Sequence, residues 1–312
     1  MAVIHNLPSK VQNTITEEAE DWIDDMPFGI QDRLADAVLH AQKGFFSEIN
    51  FFRSFNDTTG IGRYKVKITD MKGGENSEIP MRIYRALSEN KGVKPTLIYF
   101  HGGGWSLGSI NTTDRFCRAL ASDGNLEIIS IEYPLAPENP AQAALKTALN
   151  AVNYIYKNID KFGGNKDYIS IGGDGAGGNI ALNVYNSLPE SVSIRSLVLY
   201  YPLLKTSGEL SADSKRKYAR GYGFDSRLWE TFIDAYNENP SKDFNKKLPP
   251  TLLISAGRDI IIDEIEDFVD RHPEVIYVIY SGALHGFITD NRQNTAFNET
   301  VSLTGKFLEV SR

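Results

Sequence analysis

The stretch that most limits what this chain can become runs from Tyr168 to Leu182, YISIGGDGAGGNIAL. Its first residues are apolar and β-prone, its middle is glycine with one aspartate, and its end opens a helix. That order reads as strand, tight turn and helix. Two chemistries use the shape. In one, the turn is a nucleophile elbow, G-x-S-x-G, whose serine sits on a strained backbone at the top of an α/β sheet. In the other, it is the fingerprint G-x-G-x-x-G that rests a dinucleotide pyrophosphate on a helix N-terminus. Gly175 stands between them: it completes Gly173, Gly175, Gly178, and it leaves the nucleophile position with no nucleophile.

The flanking sequence repeats the strand and helix alternation. Residues 95–100, 127–133, 196–201, 251–256 and 275–280 are apolar strands, each separated from the next by enough chain for a helix. Unbroken apolar strands describe a mostly parallel sheet covered on both faces. Before them, YKVKITD and MRIYRAL alternate with a period of two around Gly73-Gly74, the pattern of an antiparallel hairpin. Residues 1–60 carry apolar positions at helical spacing (Ala19, Trp22, Ile23; Leu34, Ala37, Val38) and predict two or three helices. The rings of Phe45, Phe46, Phe51, Phe52 and Phe55 read as packing against the body, or as the lining of an entrance.

Composition narrows the partners. A net charge of −7 with interspersed acids leaves no basic face for nucleic acid or anionic lipid. One cysteine, Cys117, precludes an internal disulfide, and no basic-then-apolar leader or membrane-length apolar run is present, so a soluble cytoplasmic protein is expected. At 312 residues a single domain with a cap is expected, with the oligomeric state open.

The dinucleotide reading needs an acid at the end of the next strand to hold the ribose hydroxyls. That strand ends Leu199-Tyr200-Tyr201-Pro202, and Asp174 inside the turn would repel the phosphates. The elbow reading needs an oxyanion hole from a glycine-rich turn after an earlier strand, and His101-Gly102-Gly103-Gly104-Trp105 supplies one. The second donor would be the N–H of Ala176, after the nucleophile position. It also needs an acid and then a histidine at later strand ends. Asp259 and His285 fall there, Asp259 being preferred to Asp263, which reads as a helix start. His5, His40 and His272 read as surface or packing residues.

HGGGW at 101–105, EYPLAPE at 132–138, GDGAGGN at 173–179, RDIIIDE at 258–264 and LHGF at 284–287 together resemble the hormone-sensitive-lipase family of α/β-hydrolases, which includes bacterial acetyl esterases. The resemblance implies an α/β-hydrolase fold with helices on both faces and a helical cap. Residues 1–60 and an insertion at about 205–240 would form the cap, and 61–312 the hydrolase domain. It implies hydrolysis of small short-acyl esters without a cofactor or metal, with Gly103, Gly104 and Ala176 as oxyanion donors and Asp259 and His285 as acid and base. Trp105, Tyr133 and Phe287 stand near enough in sequence to these groups to line the acyl or alcohol pocket, with ordinary core packing an equal alternative for each, and the polar composition of the segment from Ser207 to Trp229 suits a lid more than a core element. The departure is Gly175, where the family's elbow carries serine. A glycine forms no acyl-enzyme, so the chain reads as an esterase inactivated by an engineered substitution, or alternatively as a natural non-catalytic ligand-binding protein on the same fold.

Overall fold

A computed structural model of the chain describes residues 3–4, 7–55, 57–87, 92–204, 212–237, 246–290 and 292–310. Its strands are β1 (Val3–Ile4), β2 (Val66–Gly73), β3 (Ile79–Ala86), β4 (Thr96–Phe100), β5 (Glu127–Ile131), β6 (Ile169–Asp174), β7 (Ser196–Tyr200), β8 (Thr251–Arg258) and β9 (Ile276–Leu284). They form one sheet in the order β1-β9-β8-β7-β6-β4-β5-β3-β2. The β2–β3 hairpin is antiparallel, β3 meets β5 antiparallel, and the remaining pairs are parallel. Every residue of β4, β5, β6 and β7 is buried, which is why these strands lack polar alternation.

The order fixes where a site can lie. After β4 the chain goes to β5 on one side and then crosses to β6 on the other. The carboxyl ends of β4 and β6 therefore open onto the crevice that such a reversal creates. Their register, Phe100↔Gly173, brings the His101 turn and the Gly175 turn side by side.

The helices are α1 (Ser9–Asp24), α2 (Ile30–Gln42), α3 (Ser47–Phe55), α4 (Asp114–Ser122), α5 (Ala141–Lys157), α6 (Ala176–Ser187), α7 (Ala212–Tyr218), α8 (Ser226–Tyr236), α9 (Ile262–Arg271) and α10 (Asn294–Val310). Residues 1–60 divide between two tasks. β1 extends the sheet beside β9, and α1 packs on β9 and α10 through its buried Ile15 and Ala19. Burial of a side chain such as Ile15 contributes roughly 2 kcal/mol. By contrast, α2 pairs with α8, where Arg227 bridges Asp32 at 2.9 Å and Asp36 at 2.5 Å.

Three sequence expectations change here. Phe46 and Phe52 pack against the core, but Phe45 and Phe51 are exposed, so the aromatic group does not act as one packing unit. Phe55's side chain, His5, and residues 205–211 and 238–245 of the cap insertion and its flank lie outside the described residues. The part of the Ser207 to Trp229 segment expected as a polar lid includes the start of an amphipathic helix. In α8, Leu228, Trp229, Phe232, Ala235 and Tyr236 are buried on one face. The last strand also runs farther than its apolar stretch predicts: a bulge between Ala256 and Arg258 lets Arg258 pair with Leu284, so Ser281–Leu284 belong to β9.

Candidate active site

The turn at Gly175 is built by its neighbours. Gly175 has φ 50 and ψ −114, a conformation side chains resist and glycine accepts. Its N–H donates to the Tyr200 carbonyl at 3.0 Å, and its own carbonyl accepts the Leu203 N–H at 3.0 Å. Helix α6 begins at the next residue, so the Ala176 N–H is one of the first-turn donors that lack an intrahelical partner.

Asp259 and His285 follow the ends of β8 and β9. Asp259 is buried; its Oδ1 accepts the Ile261 N–H at 3.2 Å and its Oδ2 lies 2.7 Å from His285 Nδ1. A carboxylate accepts and a ring N–H donates, so this contact places the proton on Nδ1 and leaves the Nε2 lone pair free. That nitrogen faces the turn: a Cβ added to Gly175 would stand 3.6 Å from His285 Nε2. The ring is held between two others, with Phe224 stacked at 4.3 Å and Tyr201 tilted at 4.7 Å. Asp263 sits in the first turn of α9, where its Oδ2 accepts the Ser214 N–H at 2.9 Å, away from the histidine pair.

On the adjoining strand end, Gly103 (φ 107), Gly104 (φ 57) and Trp105 (φ 58) are successive left-handed residues. The Gly103 carbonyl accepts the Leu107 N–H at 2.8 Å, closing the turn. His101 anchors it from below: the ring is buried, stacks on Tyr133 at 4.2 Å, and its carbonyl accepts the Tyr133 hydroxyl at 2.6 Å. Asp174 joins this turn to the elbow, with the Gly102 N–H donating to its Oδ1 at 2.9 Å and the Tyr99 hydroxyl at 2.6 Å. Burial pushes the Asp174 carboxyl up, against the opposing pull of the Tyr99 and Gly102 hydrogen bonds and the charge of His101.

The structure thus brings Gly103, Gly104, Gly175, Ala176, Asp259 and His285 to one edge of the sheet. Trp105, Tyr133 and Phe287 are there too, each buried in packing contacts. Trp105 stacks on Tyr236 at 4.4 Å, Tyr133 on His101, and Phe287 packs edge-on against Tyr201 and Tyr280. Sequence reasoning missed Phe224, Phe232 and Tyr236. Phe232 lies so close to Gly104 that a Cβ there would come within 2.1 Å of its ring. The signal available was the i, i+4 spacing of Phe232 and Tyr236 in α8, hidden by the polar residues before it. Among the described residues no group of three or more His, Cys, Asp or Glu side chains could hold a metal ion. No helix of the described residues is long and apolar enough to cross a membrane.

Comparison with known proteins bears on the fold. Residues 97–289 match the family described as alpha/beta hydrolase fold. The chain is 41% identical over 248 residues to Carboxylic ester hydrolase LipN of Mycobacterium tuberculosis, covering 72% of this chain and 65% of that protein. It is 33% identical to Carboxylesterase NlhH of the same organism over 56% of this chain and 55% of that one. The match therefore spans just under two thirds and just over half of these relatives' own length. Among solved structures, it resembles a serine-to-alanine variant of an alpha/beta hydrolase enzyme from the metagenome of Lake Arreo, Spain. That likeness has a TM-score of 0.73 and 28% identity and covers 96% of this chain and 98% of the other. An esterase of Pyrobaculum calidifontis gives a TM-score of 0.71 at 26% identity over 92% of this chain and 94% of its own. The chain belongs to the α/β-hydrolase fold family, in its hormone-sensitive-lipase-like branch.

Proposed function

We propose that this chain is the scaffold of a carboxylic ester hydrolase for small short-acyl esters, without the acyl-enzyme route as it stands because Gly175 occupies the nucleophile position. The observation that carries the reading is the 3.6 Å between a Cβ on Gly175 and His285 Nε2, with Asp259 on the far side of the same ring. A histidine oriented by a buried carboxylate toward the tip of a strand–turn–helix is a general base waiting for a hydroxyl. The relatives named carboxylic ester hydrolase, carboxylesterase and acetyl esterase support the ester as substrate class.

With serine at 175, His285 takes the hydroxyl proton as the oxygen attacks the ester carbonyl. The N–H groups of Gly103, Gly104 and Ala176 hold the oxyanion. His285 then protonates the leaving alcohol and activates water for deacylation. Asp259 keeps one tautomer throughout. In this proposal α2, α3 and α8 act as the cap over the site, and Trp105, Phe224 and Phe232 bound the acyl or alcohol side. A cytoplasmic location fits the single buried thiol of Cys117.

The test is Gly175→Ser beside the unchanged chain, with release of p-nitrophenolate from p-nitrophenyl acetate as the readout. A gain of at least about a thousandfold is expected, since a missing triad member leaves only residual catalysis. No gain would overturn the esterase reading and favour a non-catalytic ligand-binding protein on the same fold.

A further inference from the structure

Serine differs from glycine by a hydroxymethyl group, and methanol is that group with one hydrogen added. At Gly175 the main chain is fixed by Tyr200, Leu203 and the start of α6, so its open side has a set direction. Among the described residues, the heavy atom that a Cβ on this side meets within 4 Å is His285 Nε2, at 3.6 Å. The histidine does not need a serine hydroxyl to stay in place. Asp259 holds Nδ1, and Phe224 and Tyr201 hold the ring faces.

We propose that the space between Gly175 and His285 Nε2 is a site for a small external nucleophile, a primary alcohol or water. The chain as it stands then transfers an acyl group directly from an ester to that molecule. This rests on the esterase reading and adds an activity to it, alcoholysis without an acyl-enzyme. The alcohol oxygen bonds to the ester carbonyl carbon while its O–H proton passes to His285 Nε2. The tetrahedral intermediate then expels the original alkoxide, which takes that proton from His285. With methanol the products are a methyl ester and the original alcohol; with water they are a carboxylic acid and the original alcohol. The histidine returns to its starting state in either case, and nothing is oxidised or reduced. In a tertiary alcohol the three methyl groups on the carbinol carbon hinder attack of its oxygen on the ester carbonyl carbon, so it serves as the unreactive control.

The experiment uses the full chain, p-nitrophenyl acetate, and rising methanol, with p-nitrophenolate and methyl acetate measured together. Methanol is expected to raise the rate to at least about tenfold above that of Gly175→Ala and His285→Gln in the same methanol, in keeping with a positioned general base. Methyl acetate should form in step with p-nitrophenolate, and tert-butanol should have no such effect. The comparison of the two alcohols on the unchanged chain stands even if a variant folds poorly. The proposal is overturned by a methanol response equal in the variants, by equal acceleration with tert-butanol, or by p-nitrophenolate release, water-dependent or methanol-dependent, no faster than that of His285→Gln. If Gly175→Ser is active while the unchanged chain ignores methanol, this inference fails and the esterase reading stands. If Gly175→Ser is also inactive, the esterase reading itself fails.

Discussion

The Tyr99 hydroxyl donates to Asp174 Oδ1 at 2.6 Å, and the Gly102 N–H reaches the same oxygen at 2.9 Å. One buried carboxylate oxygen therefore ties the β4 strand, the glycine-rich turn and the residue before Gly175 together. Asp174→Asn keeps an oxygen for both donors and removes the buried charge. Burial holds the folded carboxyl above its ordinary value, so its ionised form costs stability once the pH has risen through that folded value. Asp174→Asn is expected to stay within about 1 kcal/mol of the parent at pH 7 and to flatten the fall in stability that the parent shows as the pH rises from 3.8 through the folded value. Asp174→Ala strands both donors and should cost about 3 kcal/mol. Urea unfolding of the three proteins in steps from pH 3 to pH 8 decides it; equal losses in both variants would show that the hydrogen bonds are not what matters.

Gly103 and Gly104 differ in what surrounds them. A Cβ at Gly103 would lie 2.3 Å from the Leu107 carbonyl oxygen, which is main chain within the same turn. At Gly104 the obstacle is the Phe232 ring, a side chain that can move or be removed. Gly103→Ala should therefore destabilise by about 3 kcal/mol with no single-site remedy, from steric overlap and a positive φ together. Gly104→Ala should be partly rescued by Phe232→Ala. A double-mutant cycle on thermal unfolding is expected to show a coupling of about 1 kcal/mol or more for Gly104 with Phe232, and none for Gly103 with Phe232.

Much of this site was legible in the sequence because its parts obey local rules. Gly175, Asp259 and His285 each follow a buried strand, and strand ends are readable from an apolar run that stops. The roof was less legible. Phe224 reaches the site from a segment whose polar composition suggested a lid, Phe232 follows just after it, and nothing local says that α8 turns its apolar face onto Gly104. The N-terminus was read as helical, correctly for α1 to α3, but a two-residue strand such as β1 leaves no periodicity to find. The end of β9 was placed too early because its last residues, Ser281 and Gly282, look like turn residues. In the sheet, Gly282 is needed where Thr16 of α1 crosses closely, a contact distant in sequence.

Glu132 ties the acid stability of the fold to the glycine-rich turn. Burial alone would raise its carboxyl, but the His101 ring, 3.6 Å away, and the Ile110 N–H donating at 3.0 Å outweigh this and hold it below the ordinary 4.5. A depressed folded value means the contribution is present above pH 4.5 and is lost as the pH falls through the lower folded value. Glu132→Gln keeps an acceptor for Ile110 but does not titrate. The parent should be the more stable of the two at pH 6, and the gap should narrow steadily below pH 4.5. Urea midpoints between pH 6 and pH 3 measure this, and a constant gap would show that Glu132 carries no linkage.

Gly175 itself sets the relation between stability and activity. At φ 50 and ψ −114 a side chain is strained, although only His285 Nε2 comes near where a Cβ would go among the described residues. The cost of Gly175→Ser therefore comes from backbone strain rather than crowding, and should be about 1–3 kcal/mol. Gly175→Ala should lose a similar amount, since both add a Cβ, but only the serine variant should gain hydrolysis. A new hydroxyl within reach of His285 can recover part of the strain as a hydrogen bond of about 1 kcal/mol. The ordering expected in urea is parent, then Gly175→Ser, then Gly175→Ala. Adding His285→Leu should erase the difference between the two variants by removing the acceptor. Were the serine variant as stable as the parent, the turn would have to relax away from the positive φ, and its hydrolytic rate should then be low.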